Sequence, residues 1–183
     1  MMQKLHWHSG WVRREHEWCV SANRAGGIDR SRRYFATVSR WGDGPAWYGL
    51  MAALFAFGGG RGAQAALHMA LLGAVSLILY KVLKRWTRRP RPFAADGRIR
   101  AWVAPLDEFS FPSGHTLHAV GFTIIACAYF PTLALILVPF SVSVALSRVV
   151  LGLHYPSDVL AATAIGMSLA SLTLWLVPGV TLF

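Results

Sequence analysis

From residue 41 onward the chain is built from five apolar runs, at about 41–57, 63–83, 113–130, 132–147 and 156–177, each stopped by glycine, proline or a short polar cluster. Few architectures can house them. A bilayer core about 30 Å thick takes about 20 helical residues, and helices satisfy every backbone N–H and C=O within one segment in lipid. Composition agrees. Only 14% of the 183 residues are charged and 55% are hydrophobic, against about 25% charge in soluble domains, and disorder needs the opposite balance. Cys19 and Cys127 are too few for a disulfide-rich scaffold. The expected fold is all-α, a transmembrane helical bundle of about five spans.

The third and fifth runs approach bilayer length. The first, weakened by Gly44, Pro45 and Gly49, and the fourth, with a kink expected at Pro139, fall short and need their flanks or local thinning. Almost nothing joins the third to the fourth, so they are antiparallel neighbours. In the second run Gln64 and His68 are tolerated facing inward or near an end, and His68 reads as structural. Residues 1–40 are polar and aromatic, apart from the membrane-embedded domain at 41–183. Trp7, Trp11 and Trp18 fit one helical face, with Arg13 and Arg14 near the other. This describes a helix in the headgroup region; Ser9-Gly10 weakens it, and a loosely ordered tail is the alternative. The first 30 residues hold no continuous apolar core, so insertion is expected to be driven by the internal segments.

The net charge of +10 is unevenly placed. Eight of the 18 Lys and Arg lie in residues 1–40 and eight in 81–100, with Arg61 and Arg148 completing the set. Blocks separated by apolar runs suggest loops on one side of a bilayer rather than a nucleic-acid surface. In a five-span arrangement, 17 of the 18 share one face and Arg61 lies opposite. The positive-inside rule puts that face, with the N-terminus, in the cytoplasm.

Three polar clusters interrupt the apolar runs: Lys84 to Pro92, Ser110 to Thr116, and Ser147-Arg148 followed by His154 and Asp158. The end of the second run and start of the third share a side, as do the end of the fourth and start of the fifth. Two crossings lie between, so all three clusters meet at one membrane face. Lys84, Arg91 and Arg148 suit the equatorial oxygens of a phosphoryl group. Ser113 reads as an N-cap, leaving the amides of Gly114 and His115 at a helix N-terminus, an anion site. Pro156 suits the first turn of the last helix, with Asp158 in that turn near His154. A histidine held by a carboxylate can act as a nucleophile, and a second can protonate a leaving oxygen. The nearby acids (Asp158, Asp107, Glu108 and Asp96) form no ligand cluster, so the chemistry is expected to need no metal and no cofactor.

These residues strongly resemble the type 2 phosphatidic acid phosphatase (PAP2) superfamily, marked by K-x6-R-P, P-S-G-H and S-R-x5-H-x3-D. Here they read Lys84 with Arg91-Pro92, then Pro112-Ser113-Gly114-His115, then Ser147-Arg148 with His154 and Asp158. The resemblance covers about residues 84–158. It implies a PAP2/haloperoxidase-like bundle, commonly with six spans where five are counted here. It implies that His154 is a nucleophile forming a phosphohistidine, that Asp158 orients it and that His115 is the general acid. Lys84, Arg91, Ser113, Gly114 and Arg148 would hold the phosphoryl group.

The implied substrate is a lipid phosphate or diphosphate, such as a polyprenyl diphosphate, phosphatidylglycerophosphate or phosphatidic acid, handled by a bacterial inner-membrane enzyme. The alternatives are a non-catalytic phospholipid-binding or transport protein on the same fold, and a vanadate-dependent haloperoxidase. Binding alone needs no nucleophile. No nucleic-acid partner is expected. Arg85, Arg88 and Arg89 are expected to be headgroup or surface contacts rather than catalytic, Asp107 and Glu108 to be loop acids, Tyr155 to pack beside His154, His118 to face the bundle, and Cys127 to fill apolar space.

Overall fold

The computed structural model describes residues 10–177. Eight α-helices follow in order: α1 Gly10–Gly26, α2 Asp29–Gly42, α3 Pro45–Phe57, α4 Gly59–Thr87, α5 Pro92–Ala95, α6 Gly114–Tyr129, α7 Ala134–Val150 and α8 Pro156–Leu176, with a 3₁₀ turn at Pro131–Leu133 ahead of α7. All five apolar runs are helical.

Helix α6 is the axis of the bundle, packed by α4, α7 and α8, while α3 leans on α4 and α2 on α7. Its buried positions include Ala119, Phe122, Ile125 and Ala126, which join Trp47, Met69, Leu72 and Val144 in one core. Small residues let the helices close. A Cβ on Gly166 would stand 2.9 Å from the Leu117 carbonyl oxygen, and one on Gly121 would stand 2.9 Å from Leu72 Cδ2. The outer faces expose Phe55, Leu71, Ile78, Leu135, Ile136 and Leu172, an apolar coat suited to lipid rather than water.

Span lengths differ from the sequence expectation. The fourth run gains the 3₁₀ turn and continues past Arg148, so Pro131–Val150 reaches 20 residues, about 30 Å at 1.5 Å per residue. It joins α4 and α8 as long and apolar enough to cross a bilayer. The third run gives only 16 residues, because Ser113 caps α6 and Pro131 follows it. The first gives 13 in α3. Helices α3 and α4 meet at Gly58-Gly59, where Gly59 has φ +61°, a conformation glycine takes without strain.

Residues 10–42 form two helices rather than a loose tail; Trp7 and Ser9 lie outside the described residues. Trp11 and Trp18 share a face as the spacing predicts, ring edge to ring face at 5.6 Å, and both are exposed. The adjacent face of α1 buries Glu15, His16, Cys19, Val20 and Asn23. Asn23 donates to the carbonyls of Arg100 and Val150 and accepts from the Arg100 amide. His16 is bonded to Asp96. These bonds seat α1 on the 96–102 loop and on the end of α7.

Candidate active site

Each polar cluster is shaped by a local break in helix geometry. Arg88 ends α4 in the left-handed conformation, φ 46° and ψ 31°. Pro90 then pairs with Phe109 in an isolated bridge, and Arg91 opens α5 ahead of Pro92. The reversal brings Arg91 back beside Lys84. At the second cluster, Ser113 caps α6 by accepting from the Thr116 amide. At the third, Gly152 turns the chain with φ +76°. The amides of Leu153 and His154 then return to the Arg148 carbonyl at 3.0 and 3.1 Å. The five-residue interval between Arg148 and His154 is the length of that hairpin.

The clusters meet as the segment order requires. Lys84, Arg91, Gly114, His115, Arg148 and His154 line one cavity of about 750 Å³. Lys84, Arg91, Arg148 and His154 are all buried, so the cavity concentrates three cationic side chains where dielectric screening is weak. Its other wall is apolar, with Trp47, Met51, Leu77 and Phe122. Ser113 and Asp158 are not lining residues. The Ser113 hydroxyl is 2.9 Å from Thr116 Oγ1, so its observed part is to cap the helix that presents Gly114 and His115.

His154 Nε2 stands 3.3 Å from Arg91 Nη1, and its Nδ1 is 3.7 Å from Asp158 Oδ2 with no hydrogen-bond partner. Burial, opposed by Asp158 and reinforced by Arg148 and Arg91, pushes the imidazole pKa down to about 3. The ring is neutral at physiological pH, the state a nitrogen nucleophile needs. Asp158 Oδ2 accepts from the Tyr155 amide at 2.8 Å, closing the first turn of α8, and also from Ser110.

Four acids and bases outside the signature complete the site, and linear sequence concealed their roles. Arg89, more than half-buried, is held by two buried acids. It donates to Asp158 Oδ1 at 2.7 Å and to Glu15 Oε2 at 2.9 Å, with its guanidinium 4.1 Å from the Tyr155 ring centre. Tyr155 therefore packs on Arg89 and His16. Glu15, buried on α1, also accepts the Ser157 amide at 2.7 Å, so it caps α8 from the N-terminal helix. Asp107 is more than a loop acid. It bridges Lys84 and Arg91, at 2.8 and 2.7 Å. Burial raises its pKa, but the two cations hold it below the ordinary carboxylate range. Asp43, between α2 and α3, faces His115 Nε2 at 3.2 Å. One signal was available: the chain has only eight acids against 18 bases, and a buried charge must be paired.

His118 faces the bundle as expected, stacked on Phe122 at 5.3 Å and bonded to the Gly73 carbonyl at 3.4 Å. Among the described residues no group of three or more His, Cys, Asp or Glu is arranged to hold a metal ion.

Comparison with known proteins matches this geometry to a family. Phosphatidylglycerophosphatase B of Bacillus subtilis is 37% identical over 124 residues, 56% of this chain and 53% of that protein. Undecaprenyl-diphosphatase BcrC of the same organism is 26% identical over 118 residues, 64% of this chain and 61% of that protein. The chain thus spans about half the length of the first of these relatives. The crystal structure of a transmembrane PAP2-type phosphatidylglycerolphosphate phosphatase from Bacillus subtilis superposes with a TM-score of 0.73 at 25% identity, covering 91% of this chain and 86% of that one. The family profile described as PAP2 superfamily matches residues 65–181, a stretch that holds all three signature clusters of the cavity, and the chain belongs to that superfamily.

Proposed function

We propose that the protein is a membrane lipid phosphatase that removes a phosphate or diphosphate headgroup through a phosphohistidine on His154. One observation carries the reading: two histidines share a buried cavity with Lys84, Arg91 and Arg148, and that cavity runs onto an apolar wall beside α3 and α4. A phosphoryl group bound by the three cations and the Gly114 amide lies within reach of His154 Nε2. Attack forms the P–N bond and breaks the bond to the leaving oxygen, which takes the proton of His115. Water then attacks phosphorus and gives a proton to His115, the P–N bond breaks, and neutral His154 and inorganic phosphate are freed. Asp158 orients the ring of His154. A shift of about 0.8 Å brings their 3.7 Å approach to hydrogen-bond distance. The cations neutralise the phosphoryl oxygens, a task for which many phosphoryl-transfer enzymes use metal ions.

The apolar wall favours a lipid over a soluble phosphate ester. The names of the two relatives point to a glycerophospholipid phosphate and a polyprenyl diphosphate, and both classes fit the shared chemistry. Charge bias puts the site face and α1 at the cytoplasmic surface, with exposed Trp11 and Trp18 at headgroup level. An N-terminal reporter active only outside the cytoplasm would overturn that orientation.

The test is phosphate release by detergent-purified protein from a panel of lipid phosphates, with EDTA present and His154→Ala beside the wild type. Release that survives EDTA and is abolished in the variant is expected, together with an acid-labile phosphoenzyme in the wild type alone. Well-folded protein that binds these lipids and releases no phosphate would favour a non-catalytic binding or transport protein.

A further inference from the structure

The signature assigns a carboxylate to one histidine only. His154 has Asp158, while the proton donor His115 is left without one. Yet His115 shares its cavity with Lys84, Arg91 and Arg148, and an imidazole buried among cations holds a proton poorly. A general acid must carry that proton when the leaving oxygen departs.

Asp43 is built to supply the missing charge. Its Oδ1 lies 3.2 Å from His115 Nε2, the only ion-pair contact of His115 among the described residues. The turn that carries it is anchored at both ends. Gly42 packs so closely on α7 that a Cβ there would stand 2.7 Å from Val144 Cγ2. Gly44 follows with φ +143°, a conformation that favours glycine. The Gly42 carbonyl accepts from Trp47 Nε1 at 3.1 Å, and the buried Trp47 ring is held by Phe122 and Phe140, each at 5.5 Å. The carboxylate is thus presented from a braced corner, outside the stretch matched by the family profile. It also lines a second, smaller cavity of about 210 Å³, shared with His115, Arg148, Ser39 and Arg40.

Resting on the phosphatase reading above, we propose that Asp43 is the positioning residue of the general acid: by accepting from His115 Nε2 it holds the ring in its protonated form, so that the opposite nitrogen, Nδ1, gives its proton to the leaving oxygen. The site then holds two histidine–carboxylate pairs, His154 with Asp158 for attack and His115 with Asp43 for departure. The groups facing His115 are Asp43 from the α2–α3 corner, Lys84 from α4, Arg148 from α7, His154 from the loop before α8 and His118 on its own helix. Arg91, Asp107 and Glu108 line the same cavity, but Asp43 is the acid in ion-pair contact with His115.

The experiment compares two leaving groups. Phosphatidic acid departs as an alkoxide that needs a proton, whereas p-nitrophenyl phosphate departs as a stabilised phenolate that does not. Asp43→Asn is expected to lower kcat on phosphatidic acid about 100-fold, within the usual range for general-acid catalysis, and on p-nitrophenyl phosphate at least tenfold less. The basic limb of its kcat profile should move to lower pH, and Asp43→Glu should recover part of the loss. Vanadate affinity and thermal stability in detergent confirm that the variant is folded. Equal losses on both substrates, or none on either, with a folded variant and an active wild type, would overturn the proposal for Asp43. A wild type that releases phosphate from neither of these nor any lipid of the panel above would instead overturn the phosphatase reading.

Discussion

Lys84 and Arg91 converge on a single oxygen, Oδ1 of Asp107, at 2.8 and 2.7 Å. Arg91 also donates to the Asp107 backbone carbonyl. The carboxylate thus sits on two of the three cations proposed to bind phosphate, and a bound phosphoryl group must displace it. Asp107→Asn removes that competition. Vanadate, a phosphate mimic, should then inhibit at about tenfold lower concentration, equivalent to about 1.4 kcal/mol. An unchanged or weakened inhibition constant would show that Asp107 does not compete.

Glu15 and Arg89 tie the N-terminal helix to Asp158, the residue proposed to orient His154. Arg89 bridges Glu15 and Asp158, and Glu15 is almost fully buried. Removing one partner of a buried pair strands the other, so Arg89→Leu should lower stability by about 3 kcal/mol. Glu15→Gln should cost less because its amide oxygen still accepts from Ser157. The double variant should be less damaged than the two losses added together, a coupling read by thermal melts in detergent. Simple additivity would mean that the two side chains act independently.

The acid behaviour of His154 has a definite sign. Its pKa falls to about 3 in the folded chain, from about 6.5 when exposed. Between those values the unfolded chain binds the extra proton, so the contribution to stability falls as pH drops from about 6.5 towards 3. The folded His154 ring stays neutral over most of that interval. Imidazole nitrogen shifts for His154 should show no titration between pH 5 and 8. A midpoint inside that range would contradict the depressed value.

Gly166 supplies the close approach of α8 to α6. Gly166→Ala forces its new Cβ against the Leu117 carbonyl and Val120, and neither can rotate aside as a flexible side-chain end would. A loss of about 1–3 kcal/mol is expected, measured as a lower melting temperature. Gly121→Ala should be milder, since it meets the movable end of Leu72.

Segment order alone determined that three distant clusters share a membrane face, because a chain that crosses lipid twice must return to its own side. Residue type singled out Lys84, Arg91, His115, Arg148 and His154, which the structure brings to one cavity, and local rules foresaw the Ser113 cap and Pro156 at the start of α8. Helical periodicity foresaw the shared face of Trp11 and Trp18. Only the tertiary structure decided which acid met which base. Asp43, Glu15, Arg89 and Asp107 lie in corners, on an N-terminal helix and in loops, where no periodic pattern marks a partner. Their pairings span from 16 residues, between Arg91 and Asp107, to 74, between Glu15 and Arg89. Ion pairing acts over a few ångströms, so it is settled only when packing has brought the segments together. The same packing pressed α1 onto the site, where residue order alone had left an interfacial helix or a tail.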